Sequence, residues 1–449
     1  MAPRRAYDAP MPATVLCVGD IHLGRRPTRL PDDLRDHGVE PADLTPVAAW
    51  KRTVRFALEQ EVDAVLLAGD VVEGIRDRFE AYSHLESGVR ALAEAGIPVA
   101  GVAGNHDVEA LPRLAARLPG FRLLGAQGEW EAWELETRDG GRLRVLGWSF
   151  PSQRVRHSPI ADLTGDHDDG IPTLGLLHCD VDGGSSAYAP VPAAAFQTAP
   201  GDAWLLGHIH TPGTLGGPRP VGYLGSLVGL DPGEPGRRGP WLARIGGPGD
   251  VAMEHIPLAP LRWEREDVPL DDLDLAEGDD VAEAIQTEVL RAMGRVHDRI
   301  ADELGHALAV GCRLTFTGRT SHHGALRSSD LLRGLGRLTD SRGETHFFVE
   351  KVRDEAAQAH DLEDLARGSD PAALLACRLI LLEAGSPDAE PLIAKASREM
   401  ARVAGNASRW GGSDDDLPLP DARAELLRAG HQALDDLLAQ RPAPPTDGT

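Results

Sequence analysis

Cysteine is scarce in this 449-residue chain: Cys17, Cys179, Cys312 and Cys377 are the four present, far apart and with no CxxC pair. That spacing excludes a disulfide framework and a cysteine-held zinc cluster. Cys17 and Cys179 lie inside apolar runs and are expected as small core residues. Long hydrophobic runs are missing too, so no segment can span a bilayer as a helix. The opening MAPRRAYDAPMP lacks the apolar stretch of a secretory signal. A cytoplasmic protein without membrane association is the expectation. Positive charge is also short, with 70 Asp and Glu against 46 Lys and Arg and a net charge of -24. Lysine occurs only as Lys51, Lys351 and Lys395. A protein that binds nucleic acid unaided usually carries a basic face, so the global charge argues against tight unaided binding. Metals and local arginines can still reverse the sign inside a cleft.

What is present is ample core material, 42% hydrophobic with 26% charged, in a length that predicts two or three domains. The first 260 residues alternate short apolar strands with helical patterns. Thr14–Val18 is a buried-strand pattern ending at Gly19-Asp20. Thr45 caps a helix that opens at Pro46 and runs through Gln60. Val62–Ala68 ends at Gly69-Asp70, a helical pattern spans Arg76–Glu94, and Pro98–Ala103 ends at Gly104-Asn105. Glu131–Thr137 and Arg142–Gly147 flank Asp139-Gly140-Gly141, a hairpin pattern. Further strands are expected over Ile171–Leu177, Ala203–Leu206, Val221–Leu224, Trp241–Ile245 and Val251–Ile256. This order predicts two packed sheets with helices outside.

Ala259–Asp280 is rich in Pro, Asp and Glu and is expected as a boundary. Beyond it, a helix (Val281–Leu304), a strand (Ala309–Phe316), a short helix near Leu331 and a strand (Thr345–Val352) suggest a small α/β cap. From Asp361 the chain is helical, broken at Gly411–Pro420, with a last helix at Asp421–Gln440 and a Pro-rich tail. The expected domains are therefore 1–260, 265–355 and 360–449.

The chemistry-bearing residues sit at strand ends in five blocks: GDIH (Gly19–His22), GD (Gly69-Asp70), GNHD (Gly104–Asp107), LLHCD (Leu176–Asp180) and GHIH (Gly207–His210). Each places a carboxylate, carboxamide or imidazole just after an apolar strand. Glycine precedes the polar residue in four of the five, as a tight turn requires. Open α/β sheets bind ligands at the carboxyl ends of their strands, so five such blocks point to one shared site. Mixed imidazole and carboxylate donors suit Mn, Fe or Zn better than Ca or Mg. The set is too large for a single ion and suits two ions about 3.5–4 Å apart sharing a carboxylate.

The ordered set resembles the calcineurin-like metallophosphoesterase superfamily, whose pattern is DxH, GD, GNH(D/E), H and GHxH. The resemblance implies a four-layer αββα sandwich, here followed by a C-terminal α/β cap and a helical extension. It implies that Asp20, His22 and His210 hold one metal, that Asn105, His178 and His208 hold another, and that Asp70 bridges them. It also implies that His106 protonates the leaving oxygen and that Asp107 orients its ring.

Three features are similar to SbcD-type DNA repair exonucleases, in particular the YhaO-like branch. GDIHLGRRP resembles their opening block, where Arg25, Arg26 and Arg29 could reach a phosphate backbone. The tract VGYLGSLVGLDPGEPGRRGPWLARI resembles the segment after their final His pair, with Gly225 and Ser226 at its turn, and Ser226 is a candidate substrate contact. The region 265–449 resembles, more loosely, their cap and accessory helices. The resemblance implies a manganese-dependent exonuclease subunit of a DNA repair complex, acting 3′ to 5′. It also implies a homodimer and a coiled-coil ATPase partner of the SbcC type. Two alternatives stay open: a metallophosphatase or phosphodiesterase acting on a small or protein substrate, which the acidic composition favours, and a non-catalytic scaffold.

Overall fold

The computed structural model describes residues 13–73, 78–165, 169–271, 273, 280–303, 305–407 and 421–440. The break expected at Gly411–Pro420, the Pro-rich tail, the first turn of the helix expected from Arg76 and most of 272–279 lie outside them. The described residues divide into two compact units. The first comprises Met1–Val268, Ala282–Phe316 and Ser329–Asp354, and the second the intervening segments and Glu355–Thr449.

The first unit is built on two sheets. One has six strands: β1 (Ala13–Val18), β2 (Ala64–Leu67), β3 (Val99–Gly101), β4 (Phe121–Leu123), and a later pair at Trp241–Gly247 and Asp250–His255 that completes its edge beside β1. β1 to β4 are mutually parallel; the late pair is antiparallel. The other sheet has five strands: β5 (Glu131–Glu136) and β6 (Arg142–Trp148) form the expected hairpin, followed by β7 (Thr173–His178), β8 (Ala203–Gly207) and β9 (Val221–Tyr223) in parallel. The alternation of side chains along β1 assigns its faces. Val15 and Cys17 point to the core between the sheets with Leu66, Ala100, Val145, Leu174 and Leu205. Leu16 and Val18 point outward, where α1 (Pro46–Glu59) and α2 (Arg78–Glu94) cover them. On the far side, Trp148, Leu177, Trp204 and Leu206 pack against Phe196. Layers of helix, sheet and sheet follow from this two-residue period, and the chain has the α/β sandwich fold expected from its pattern.

A third sheet belongs to the same unit. Leu261–Pro269, Ala309–Thr317, Thr339–Arg342 and Thr345–Asp354 form it, the last two as a hairpin. Helix α3 (Val281–Ile300) buries Ile285, Val289, Met293 and Val296. Trp263, Ala309 and Phe348 join the same apolar cluster as Leu16 and Val65. The segment expected as a boundary therefore contains a strand, with Trp263 donating its indole N–H to Gly229 O at 3.0 Å. Most of the α/β segment expected as a separate cap shares the core of the first unit.

The second unit is largely helical. Its core is Leu362, Ala372, Ala376 and Leu379 against Leu434, contributed by helices at Leu362–Leu365, Pro371–Glu383 and Ala422–Ala439. Asp370 and Asp421 cap these helices by accepting backbone N–H groups. Asp435 accepts from Arg319 at 2.8 Å and lies 2.7 Å from His360 Nε2.

Candidate metal centre

β1, β2, β3, β7 and β8 all end on one edge of the sandwich. Asp20 and His22 follow β1, Asp70 follows β2, Asn105 to Asp107 follow β3, His178 closes β7, and His208 and His210 follow β8. Asp20, His22 and His178 are fully buried and Asp70 is nearly so. Among the described residues, three groups of side chains come close enough to share an ion: Asp20, His22 and His210; Asp20, Asp70 and His178; and His22, Glu73 and His106.

The glycines do more than turn the chain. A Cβ on Gly69 would stand 2.7 Å from His178 Nδ1, and one on Gly104 would stand 2.2 Å from Asp70 Oδ1. A Cβ on Gly207 would meet Ala68 O at 2.0 Å. Their missing side chains leave the space that the His178 ring and the Asp70 carboxylate fill. Three site residues themselves hold positive φ: His22 (51°), Asp70 (47°) and His208 (104°). Each such backbone costs about 1–3 kcal/mol and is held by specific bonds. His22 N–H donates to Asp70 O at 2.9 Å, and His208 N–H to Asp20 Oδ1 at 3.0 Å.

The imidazoles reveal what the site is built to hold. His22 Nδ1 lies 2.7 Å from Glu73, and His210 Nδ1 lies 2.7 Å from Glu234. A carboxylate at Nδ1 fixes the proton there and leaves Nε2 as a lone pair. The two Nε2 atoms then face each other across 3.0 Å. Two lone pairs at that range repel unless a cation or proton shares them. Asp20 and Asp70 add negative charge beside them, with Asp70 Oδ2 3.8 Å from His22 Nε2. Across the site, His178 Nδ1 is within 3.0 Å of Ala68 O, so its Nε2 faces Asn105 Oδ1 at 3.0 Å and Asp70 Oδ2 at 3.5 Å. Asp70 thus stands between two donor groups. The donor set fits two divalent cations sharing Asp70.

The titration behaviour follows this packing. Burial works to raise the Asp70 carboxyl, but His178, His22 and His106 outweigh it and hold Asp70 below the usual range. Burial likewise opposes protonation of His210, and the Glu234 bond and Asp20 charge outweigh it, leaving His210 above an ordinary imidazole. Burial and the neighbouring His178 lower His208.

The remaining expected residues take distinct places. His106 is exposed over 42% of its side chain and faces the site, with its ring 5.1 Å from His22. Asp107 is fully buried, and its two oxygens accept the N–H groups of Val71 and Gly104, each at 2.7 Å. It ties the ends of β2 and β3 together; the carboxylate near the His106 ring is Glu73, 3.7 Å from Nδ1. Arg25 lies 3.9 Å from Glu73, Arg26 is exposed, and Arg29 reaches Glu350 at 3.9 Å. Ser226 is buried, and its N–H donates to His210 O at 2.9 Å, so it supports the His210 loop from behind. The buried Arg238 donates to the same carbonyl at 2.5 Å. Sequence reading missed Glu73, Glu234 and Arg238 as parts of the site. Glu73 carried a signal, three residues beyond Asp70; Glu234 and Arg238 lie in the tract after His210 with no spacing that assigns them.

Residues 13–212 match the family model of calcineurin-like phosphoesterases. Over 238 residues the chain is 25% identical to the uncharacterized metallophosphoesterase YhaO of Bacillus subtilis, covering 49% of this chain and 54% of that one. Over 233 residues it is 28% identical to the DNA double-strand break repair protein Mre11 of Aeropyrum pernix, covering 47% and 53%. The chain thus spans about half the length of these relatives. A solved dimetal phosphatase from Danio rerio aligns over 54% of this chain and 98% of its own, at 14% identity and a TM-score of 0.33. Residues 13–212 are a calcineurin-like metallophosphoesterase domain.

Proposed function

We propose that this calcineurin-like metallophosphoesterase domain hydrolyses phosphodiesters with two metal ions, and that its substrate is DNA. The observation that carries the hydrolytic part is the pair of imidazole Nε2 atoms facing each other at 3.0 Å, each backed by a carboxylate and flanked by Asp20 and Asp70. When bound, two divalent cations supply Lewis-acid activation of the phosphoester and neutralise its growing charge. Manganese suits the mixed donors. His106, exposed at the rim, donates a proton to the departing alkoxide, worth about 10²–10⁴-fold. Glu73, 3.7 Å from His106 Nδ1, steadies that ring. Arg25 and Arg26 would meet phosphate oxygens in this reading.

The DNA part rests on the likeness to Mre11 repair proteins and on the arginine-bearing loop after His22. The reading is an exonuclease subunit acting 3′ to 5′, dimeric through the helices between Asp70 and Asn105, with a coiled-coil ATPase partner that supplies the DNA affinity an acidic chain lacks. The test is manganese-dependent release of mononucleotides from linear duplex DNA, abolished by chelation. The net charge of -24 favours a second reading, a phosphodiesterase for small substrates. Cleavage of an aryl phosphodiester but not of DNA, even with the ATPase added, would establish that reading instead.

A further inference from the structure

A second concave site in the first unit uses none of the residues above. α1, the end of α3, the loop at His306 and the turn before Thr345 enclose a cleft of about 490 Å³. Its ionisable lining is Arg52, Arg55, Arg342, His297, His306 and Glu344: three guanidiniums and two imidazoles against one carboxylate. The concentration of positive groups runs against a chain whose net charge is -24.

Two of these guanidiniums, Arg52 and Arg55, are poorly neutralised. Arg52 is half-buried and donates to the carbonyl of His306. Among the described residues it has no ion-pair partner, and Arg55, one helical turn along, has none either. Burial and the Arg55 charge both disfavour the charged Arg52, and burial and Arg52 in turn disfavour a charged His306. Asp43 and Glu59 attract these two groups from beyond ion-pair range. Asp340 holds Arg342 at 2.8 Å, Asp298 lies 3.0 Å from His297, and Glu344 sits exposed on the rim. A glycine admits the third guanidinium: a Cβ on Gly294, inside α3, would stand 3.1 Å from Arg342 Nη2. Glycine is among the least favourable residues inside a helix, and here it leaves the space that Arg342 enters.

We propose that this cleft binds a phosphate dianion, either inorganic phosphate or the phosphate of a nucleoside monophosphate. Arginine forks match tetrahedral oxyanions. A multivalent anion is the species that relieves repulsion between Arg52 and Arg55 while offering an acceptor to each. The volume lies in the range of small-ligand sites, about 300–1,000 Å³, and admits a mononucleotide.

The test is calorimetric titration of the manganese-loaded full chain with inorganic phosphate and, separately, with deoxyadenosine monophosphate. The Arg52→Gln/Arg55→Gln variant should bind one equivalent fewer than wild type, or bind it at least roughly tenfold more weakly. That difference holds whether or not the metal centre contributes a phosphate site of its own, so it is separable from the proposed hydrolysis. Turnover of an aryl phosphodiester should be the same in both proteins. Glu344→Gln should tighten the cleft site by a few-fold, an effect that misfolding cannot imitate. Tighter binding of the nucleotide than of phosphate identifies the nucleotide as the ligand; equal binding identifies phosphate itself. Unchanged stoichiometry and affinity in the double variant, or weaker binding in Glu344→Gln, would overturn the proposal.

Discussion

Glu234→Gln is the substitution that most directly tests how the centre is assembled. One Glu234 oxygen lies 2.7 Å from His210 Nδ1, and the other accepts the Leu230 N–H at 3.0 Å. Glutamine keeps the size and one acceptor, so the loop should hold its course. It loses the charge that keeps the proton on Nδ1 and raises the basicity of Nε2. Replacing a carboxylate behind a ligating histidine typically lowers metal affinity 10–100-fold, which is about 1.4–2.7 kcal/mol. His178, Asn105 and His208 do not touch Glu234, so the loss should fall on one of the two proposed metal sites. Titration of metal-free protein, followed by electron paramagnetic resonance and calorimetry, reads both affinities. One weakened site and one unchanged site is the expected result. Two sites weakened alike, or neither, would show that Glu234 does not act through His210. Glu73→Gln is the matched comparison. It removes the carboxylate from His22 in the same donor group but also stands 3.7 Å from His106 Nδ1. At saturating manganese its turnover should stay depressed, whereas that of Glu234→Gln should recover.

Three further outcomes follow from the same geometry. His106→Asn should keep both metals, because its side chain stands at the rim, and should lose about 10²–10⁴-fold in turnover; metal loss in parallel with activity would contradict that placement. Gly104→Ala puts a Cβ 2.2 Å from Asp70 Oδ1 and should reduce metal stoichiometry in purified protein, read by elemental analysis, even where circular dichroism shows the fold retained. His255 stacks on Trp241, and burial and then Arg237 push its pKa down from 6.5 to about 4. Between those values the unfolded chain binds a proton that the folded chain refuses, so stability is full above about pH 6.5 and falls as pH drops towards 4. His255→Asn should flatten that fall by about 1–3 kcal/mol in urea denaturation compared with wild type, and parallel curves would refute the assignment.

The convergence of the five blocks is legible in the sequence because each lies at the end of a buried strand, and parallel strands that share a sheet end on the same side. Asp20, Asp70, Asn105, His178 and His208 needed only that rule to be brought together. Glu73 and Glu234 needed more, since a carboxylate behind an imidazole is defined by where its oxygens arrive and not by spacing. Asp107 shows the same limit from the other side. Its neighbour in sequence is His106, but its buried oxygens are drawn to the nearest unpaired N–H groups, those of Val71 and Gly104.

The strand at Leu261–Pro269, where composition predicts a boundary, is hidden from the sequence for a related reason. Charge in Leu261–Pro269 looks like a linker only if each charged side chain faces water. Arg262 and Glu264, two residues apart, lie on one face of the strand and bond to each other, while Arg262 also reaches Glu303 at 2.6 Å. Paired in this way, they can be almost fully buried beside Trp263 on the opposite face. Composition counts charges singly, whereas burial depends on whether they arrive in pairs. The same distinction bears on the acidic whole: a net charge of -24 does not preclude anion binding where Arg52 and Arg55 adjoin with no ion-pair partner among the described residues.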